Sequence, residues 1–372
     1  MRIPSRRSHA DRTIRRRFSL TRPTAVIAVA VVSTLLAACG GGGDDRITSE
    51  AVGATGPAGD ESWQKIVGAA EAEGEVTIYS SNAADALAEL GRRFEADYGI
   101  RVNVVRDVDA NIHQKVGAEA DTGNQVADIV TQATSPWVVE LAAAGGIAEP
   151  IGPAFTDPSS EYDTDTLLRG SGDFVTGASV LTFGWNTDRY PAGLESYEDL
   201  LDPALADGKI GIVLPTSTAH VDFYGSYLEQ VGGDGFVERL AAQKPRIYPG
   251  ALPVAQALAS GEIAATVFAQ DQTVEKKNGA PVDSGFDKLV WGAPMYTSIL
   301  AKAPHPNAAQ LLANYMVTPA GQEALSFRNA AVLPNVSSAV TTIDTVAPQD
   351  LSAMTPEALE ALKVRFGQLF NQ

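Results

Sequence analysis

The run Gly74-Glu75-Val76-Thr77-Ile78-Tyr79-Ser80-Ser81-Asn82 passes from a glycine through alternating apolar and polar residues into three small polar ones. Val76 and Ile78 alternate with polar neighbours, the period of a strand with one buried face, and Gly74 punctuates its start. Ser and Asn favour a helix N-cap, and Leu87, Leu90, Phe94 and Tyr98 then recur at intervals of three and four, the apolar stripe of a helix laid over a sheet. Where a strand feeds directly into a helix, the first helical N–H groups have no internal partner and the dipole adds partial positive charge. A carboxylate or phosphate is well received there. Ordinary capping explains the same residues, so the turn alone supports both readings.

The pattern extends in both directions. Asp60 to Glu73 reads as a helix with Trp63, Ile66, Val67 and Ala70 on one side; Arg101 to Val105 alternates as a second strand; Asp109 is placed to cap a helix carrying Ile112 and Val116. Ala127 to Thr131 reads as a third strand ending in Gln132, Ala133 and Thr134, and Ser135-Pro136 marks a helix start ahead of Trp137, Val138 and Leu141. Further on, Ser179 to Asn186, Ile210 to Leu214, Ile263 to Phe268 and Ser298 to Lys302 read as strands. The second of these runs through Pro215-Thr216-Ser217-Thr218 into a helix bearing Val221, Tyr224, Leu228 and Val231, and the third ends in Ala269-Gln270-Asp271-Gln272-Thr273. Leu252 to Ala259, Pro306 to Tyr315 and Pro356 to Phe370 read as helices, and no internal repeat of fixed period is present. Alternating strands and helices with short connections predict an α/β fold with mostly parallel sheets, whose ligands bind outside the carboxyl ends of the strands. The candidate ligand residues are therefore Ser80, Ser81, Asn82, Thr134, Ser135, Thr216, Ser217, Thr218, Gln270 and Asp271.

Composition sets the outer limits. The 372 residues, 45% hydrophobic and 20% charged, suit roughly two globular domains. Residues 1–38 read as a signal peptide: eight arginines precede an apolar run from Ala25 to Ala38 that is shorter than the ~20 residues a bilayer span needs. Leu36-Ala37-Ala38-Cys39 resembles the bacterial lipobox, in which the cysteine becomes the first mature residue and carries the lipid; Cys39 is the sole cysteine of the chain. Arg15-Arg16-Arg17-Phe18-Ser19-Leu20 is also similar to a twin-arginine export motif. Residues 39–60, rich in glycine and aspartate, then read as a lipidated, flexible tether. Export removes eight arginines and Asp11, which leaves 20 basic and 44 acidic residues and a net charge near −24. Such a surface excludes nucleic acid as a partner.

The chain resembles the solute-binding proteins of bacterial ABC importers (extracellular solute-binding protein family 1), specifically the ferric-iron-binding branch and its non-iron relatives. The resemblance spans nearly all of residues 61–372. It rests on Gly74 to Ser81, Phe94 to Val104, Gly208-Lys209-Ile210-Gly211 leading to Pro215-Thr216-Ser217, Ala259-Ser260-Gly261-Glu262-Ile263, Pro304-His305-Pro306-Asn307-Ala308-Ala309 and Pro319-Ala320-Gly321-Gln322-Glu323-Ala324-Leu325. It implies the two-lobe, type II periplasmic-binding-protein fold, with hinge strands near Ser179 to Asn186 and Pro294 to Ala301. The first lobe would take 61–180 with 295–320 and the second 181–294 with 321–372. It also implies a monomeric receptor that closes over a small solute and delivers it to a membrane permease with its ATPase.

Ferric members of that family use two adjacent tyrosines and a histidine after the first strand. Here the tyrosine positions fall at about Asp271-Gln272, no Tyr-Tyr pair exists, and the first turn has no histidine. Tyr224 and Tyr227 are spaced to share a face, yet Tyr224 also fits the apolar stripe of its helix. What remains is hydroxyls, amides, helix N-termini and Asp271, with Tyr296 beside the returning hinge strand as a stacking residue; Trp137 and Trp185 suit core packing better. The expectation is a small anionic or zwitterionic organic solute, with no cofactor and no metal site. The alternatives are ferric iron on a non-standard ligand set, or a surface interaction lipoprotein that has lost its ligand. An enzyme is not expected. His113, His220 and His305 fall in no metal-ligand spacing, and neither a G-x-S-x-G elbow nor a Walker loop is present. His220 is the one histidine placed to approach the cleft, while His113 and His305 read as surface residues.

Overall fold

The computed structural model describes residues 61–133 and 136–370, all within one compact unit, Thr55–Gln372. Cys39, the signal peptide, the tether, Thr134 and Ser135 lie outside the described residues.

The first half builds as the periodicity predicts. α1 (Glu61–Glu73) leads into β1 (Glu75–Ser80), α2 (Ala84–Tyr98), β2 (Arg101–Arg106), α3 (Asp109–Thr122), β3 (Ile129–Ala133) and α4 (Pro136–Ala143). β1 pairs in parallel with β2 on one side and β3 on the other. Short elements follow: β4 (Ile147–Ala148), α5 (Pro153–Thr156) and α6 (Thr164–Leu167). β5 (Phe174–Asn186) then runs for 13 residues into the second half.

That half comprises β6 (Ile210–Val213), α7 (Ala219–Asp222), a π-helical turn over Phe223–Tyr227, α8 (Leu228–Gly232), α9 (Phe236–Ala242), β7 (Arg246–Tyr248), α10 (Ala251–Ser260), β8 (Ala265–Ala269), α11 (Thr273–Lys277) and β9 (Val282–Gly285). β6 pairs in parallel with β7 and β8. β10 (Trp291–Leu300) returns antiparallel to β5 and ends antiparallel to β3, and α12 (Pro306–Met316), α13 (Pro319–Leu325), β11 (Ala330–Ala331), β12 (Thr341–Thr342) and α14 (Pro356–Phe370) complete the chain.

The two largest of four hydrophobic clusters among the described residues define two lobes. One gathers Val76, Ile78, Leu87, Leu90, Phe94, Phe174 and Ile299 under α1, α2 and α12; the other gathers Phe183, Tyr197, Ile212, Phe223, Tyr224, Phe268, Trp291 and Phe366. Ala324, Leu325, Val332 and Leu333 belong to the first core, so 321–333 packs with the first lobe, where the sequence reading assigned it to the second. The reason is tertiary. Gly321 sits so close to Tyr315 that an added Cβ would lie 2.0 Å from its carbonyl oxygen, which ties α13 to α12. Gln322 is fully buried and its amide donates to the Thr176 carbonyl of β5 at 3.0 Å.

Strand directions place the ligand region. β3 and β8 are each antiparallel to a neighbour in the β10–β5 pair, so β3 runs with β5 toward the second lobe while β8 runs against β5 toward the first. The carboxyl ends of the parallel strands in both lobes therefore point at their common boundary.

Candidate functional site

On the first-lobe side, the turn after β1 is held by its own residues. Ser80 is fully buried and its Oγ accepts from Asn82 N at 3.1 Å; Ser81 N donates to the Thr131 carbonyl at 3.1 Å; the Asn82 carbonyl accepts from Arg106 Nε at 2.8 Å. The expected side-chain cap on α2 is not formed, because the N-cap is Ala83 and Ser80 is spent on the turn itself.

Asp109 also departs from its expected role. It is the first residue of α3, whose N-cap Val108 makes no side-chain cap, and its carboxylate turns to the Ser81 hydroxyl and the Ala133 amide. Burial raises its pKa above the ordinary carboxylate value, opposed by those hydrogen bonds and by His113. One turn along α3, His113 is half-buried rather than a surface residue. Its ring stacks on Trp137 with centroids 4.3 Å apart, and its Nε2 meets Gln132 Oε1. Neither Asp109 nor His113 was marked as ligand-facing by sequence. Their i, i+4 spacing on a helix that starts at a strand end was the available signal.

On the second-lobe side, Thr216 N donates to His220 Nδ1 at 3.0 Å, and Ser217 Oγ accepts from Ala219 N at 3.3 Å. Thr216 and Ser217 are exposed; Thr218, half-buried, stands at the start of α7 without a side-chain cap. His220 itself is buried, and desolvation pulls its pKa down to about 4, so at neutral pH the ring is uncharged and accepts through Nδ1. Next to it Asp222 accepts from Trp291 Nε1 at 2.7 Å, which fastens α7 to β10.

Gln270 is exposed, with its carbonyl accepting from Gln272 Nε2 at 2.8 Å. Asp271 is engaged in capping: its oxygens accept from Thr273 N at 3.2 Å and Thr273 Oγ1 at 2.9 Å. Tyr296 lies opposite Gln132 in the β10–β3 register, carries the Arg169 guanidinium 4.6 Å from its ring centroid, and lines a pocket of about 190 Å³ with Pro294, Ile343, Val346 and Gln349.

The tyrosines that would suit a ferric ion are committed elsewhere. Tyr224 OH donates to the Val213 carbonyl at 2.6 Å and Tyr227 OH to the Leu289 carbonyl at 3.1 Å, both within the second core. Among the described residues no group of three or more His, Cys, Asp or Glu is arranged to hold a metal ion, and no helix is long and apolar enough to cross a membrane. His305, expected at the surface, instead donates its backbone N–H to fully buried Asp128 at 2.7 Å and places Nδ1 3.0 Å from the same carboxylate.

Two lobes joined by antiparallel strands, with strand ends converging between them, define the type II periplasmic-binding-protein fold. The family model described as "Bacterial extracellular solute-binding protein" matches residues 76–326, and the chain belongs to that family. It is a family of binding proteins rather than of enzymes. Among solved structures, the chain is similar to iron-bound HitA from Pseudomonas aeruginosa, at 19% identity with a TM-score of 0.56, covering 80% of this chain and 99% of that one. It is similar to AfuA from Actinobacillus pleuropneumoniae with fructose-6-phosphate bound, at 19% identity and a TM-score of 0.52, covering 80% and 99%. It is also similar to the substrate-binding protein of an ABC transporter from Agrobacterium tumefaciens, at 13% identity and a TM-score of 0.61, covering 80% and 94%. No curated protein matches the chain.

Proposed function

We propose that this chain is the substrate-binding lipoprotein of an ABC importer, anchored through Cys39 to the outer face of the cell membrane. It closes its two lobes as a monomer over a small anionic or zwitterionic organic solute and passes it to a permease driven by a cytoplasmic ATPase. The observation that carries this reading is the convergence of strand ends from both lobes, around Ser80–Asn82 and around Thr216–Thr218. Hydroxyls and backbone amides at such ends receive oxygen-rich anionic groups. Closure follows if the solute touches both lobes, because only a ligand that favours the closed state shifts the equilibrium toward it. Similarity to an iron-bound and to a sugar-phosphate-bound structure spans both solute types. The engagement of Tyr224 and Tyr227 in the core favours the organic one.

The test is a melting assay with sugar phosphates, organic acids, amino acids and ferric citrate. A solute at about 100 times its Kd stabilises the protein by about 2.7 kcal/mol, an easily resolved shift. A shift with ferric ion alone would replace the organic-solute reading. No shift with any of them, and no small molecule carried through purification, would favour a surface interaction lipoprotein.

A further inference from the structure

We infer that the solute carries a protonated nitrogen beside an oxygen acceptor, as an amino-acid-like zwitterion does, with Asp109 receiving the nitrogen and the Gln132 amide the oxygen. This rests on the solute-receptor reading above and narrows it.

Four segments bring the groups together: the β1 turn supplies Ser81, the start of α3 supplies Asp109 and His113, the end of β3 supplies Gln132, and α4 supplies Trp137. Within this cluster the bonding is incomplete in a paired way. Ser81 and Ala133 bond to the Asp109 carboxylate, yet its Oδ1 is buried with no partner. Gln132 is fully buried; its Oε1 meets His113, and its Nε2 is buried with no partner. A vacant acceptor and a vacant donor thus belong to two residues that both interact with one histidine. A buried polar atom left unsatisfied costs about 1–3 kcal/mol, more when charged, and here a donor and an acceptor are left open in one cluster at a strand end, where a ligand would satisfy both.

Charge decides what kind of donor suits Asp109. The nearby cations are already occupied, Arg106 on the Asn82 carbonyl at 2.8 Å and Lys115 on Asp107 at 3.6 Å. No arginine or lysine among the described residues forms an ion pair with Asp109, and the titratable group acting on it is His113. A half-buried carboxylate without a cation is completed better by an ammonium than by a neutral hydroxyl. The stacked His113–Trp137 pair, an aromatic surface at the same place, adds favourable contact for a cationic group. The exposed hydroxyls of Thr216 and Ser217 on the second lobe are left for the anionic part of the same solute.

The experiment measures melting shifts of the full chain with matched probes: glycine, L-glutamate and γ-aminobutyrate against acetate, glutarate and butyrate, with fructose 6-phosphate as an amine-free anion. The expected result is stabilisation by one or more amine-bearing probes and not by their amine-free counterparts, with Asp109→Asn weakening that binding by about tenfold or more. Ligand-free Asp109→Asn should melt no lower than wild type, which separates lost binding from lost folding; Gln132→Leu should weaken the same probe independently. Equal binding of amine-free anions by wild type and Asp109→Asn would overturn this inference and leave the importer reading standing. Silence from every probe, together with no solute in native mass spectra of the purified chain, would overturn both.

Discussion

At the end of β1 the small polar residues meet a carboxylate, Asp109, flanked by a histidine and a buried amide with an unpartnered N–H. At the end of β6 similar residues meet His220, which burial keeps neutral and whose Nδ1 accepts from the Thr216 amide. Both turns are written in Ser, Thr and Asn, but they differ in how complete they are. The second-lobe turn bonds its own Thr216 and Ala219 amides to His220 Nδ1 and Ser217 Oγ and presents exposed Thr216 and Ser217. The first-lobe turn leaves a donor and an acceptor open. On the proposal above, recognition would fall to the first lobe and generic anion reception to the second, a division that the residue types at the two turns do not reveal.

The contrast can be broken most forcefully by weakening one lobe. Phe223 is fully buried and its ring meets Tyr224, Phe268 and Trp291 at 5.0, 5.3 and 5.5 Å. Phe223→Ala should cost about 3–5 kcal/mol in chemical denaturation. Because β5 and β10 join both lobes, unfolding is expected to remain one transition; two separate transitions would show that the lobes are independent.

His220 offers the next largest effect. Its folded pKa of about 4 lies below the ordinary 6.5, so between those values the unfolded chain binds a proton that the folded chain does not. The contribution of this ring to stability is complete above pH 6.5 and falls by about 3 kcal/mol as the pH drops to 4. Comparing denaturant midpoints across this range, His220→Gln should flatten the decline; an unchanged slope would remove the buried, neutral histidine from the account.

A smaller change is expected in β5, which crosses from one lobe to the other. Gly177 has φ +150° and an added Cβ would lie 2.9 Å from the Ala330 carbonyl oxygen, so Gly177→Ala should cost about 1–3 kcal/mol in thermal unfolding. The smallest effect is a gain. Asp109→Asn, which removes a half-buried charge lacking a basic partner, should stabilise the ligand-free protein by up to about 1 kcal/mol, and a clear loss of melting temperature would contradict the incomplete first-lobe site.

The two-lobe α/β plan was legible because strand and helix periods are local. Val76, Ile78, Leu87, Leu90 and Phe94, picked out by spacing, all enter the first core. The lobe boundary was less legible: residues 321–333 join the first lobe through contacts of Gly321 and Gln322 with distant backbone, which no periodicity encodes. The site was half legible. The turns stand at the strand ends as expected, but Asp109 was read as a cap and His113 and His305 as surface residues, since whether a side chain turns inward depends on partners such as Ser81, Gln132 and Asp128 that are remote in sequence. Asp271 shows the reverse, a residue proposed for ligand whose oxygens are taken by Thr273.

Three buried threonines have a mechanical consequence. Thr131 Oγ1 lies 2.9 Å from Thr297 Oγ1, which lies 3.1 Å from Thr176 Oγ1, so hydroxyls rivet β3, β10 and β5 together inside the first lobe. Directly beyond the rivet come Gly177 and the register shift between Met295 and Tyr296. If the lobes close as proposed, bending is expected at this short stretch, with each lobe beyond it acting as a lever arm. A rotation of a few degrees there would be magnified at the distant lips, so that closure would leave the packing within each lobe intact.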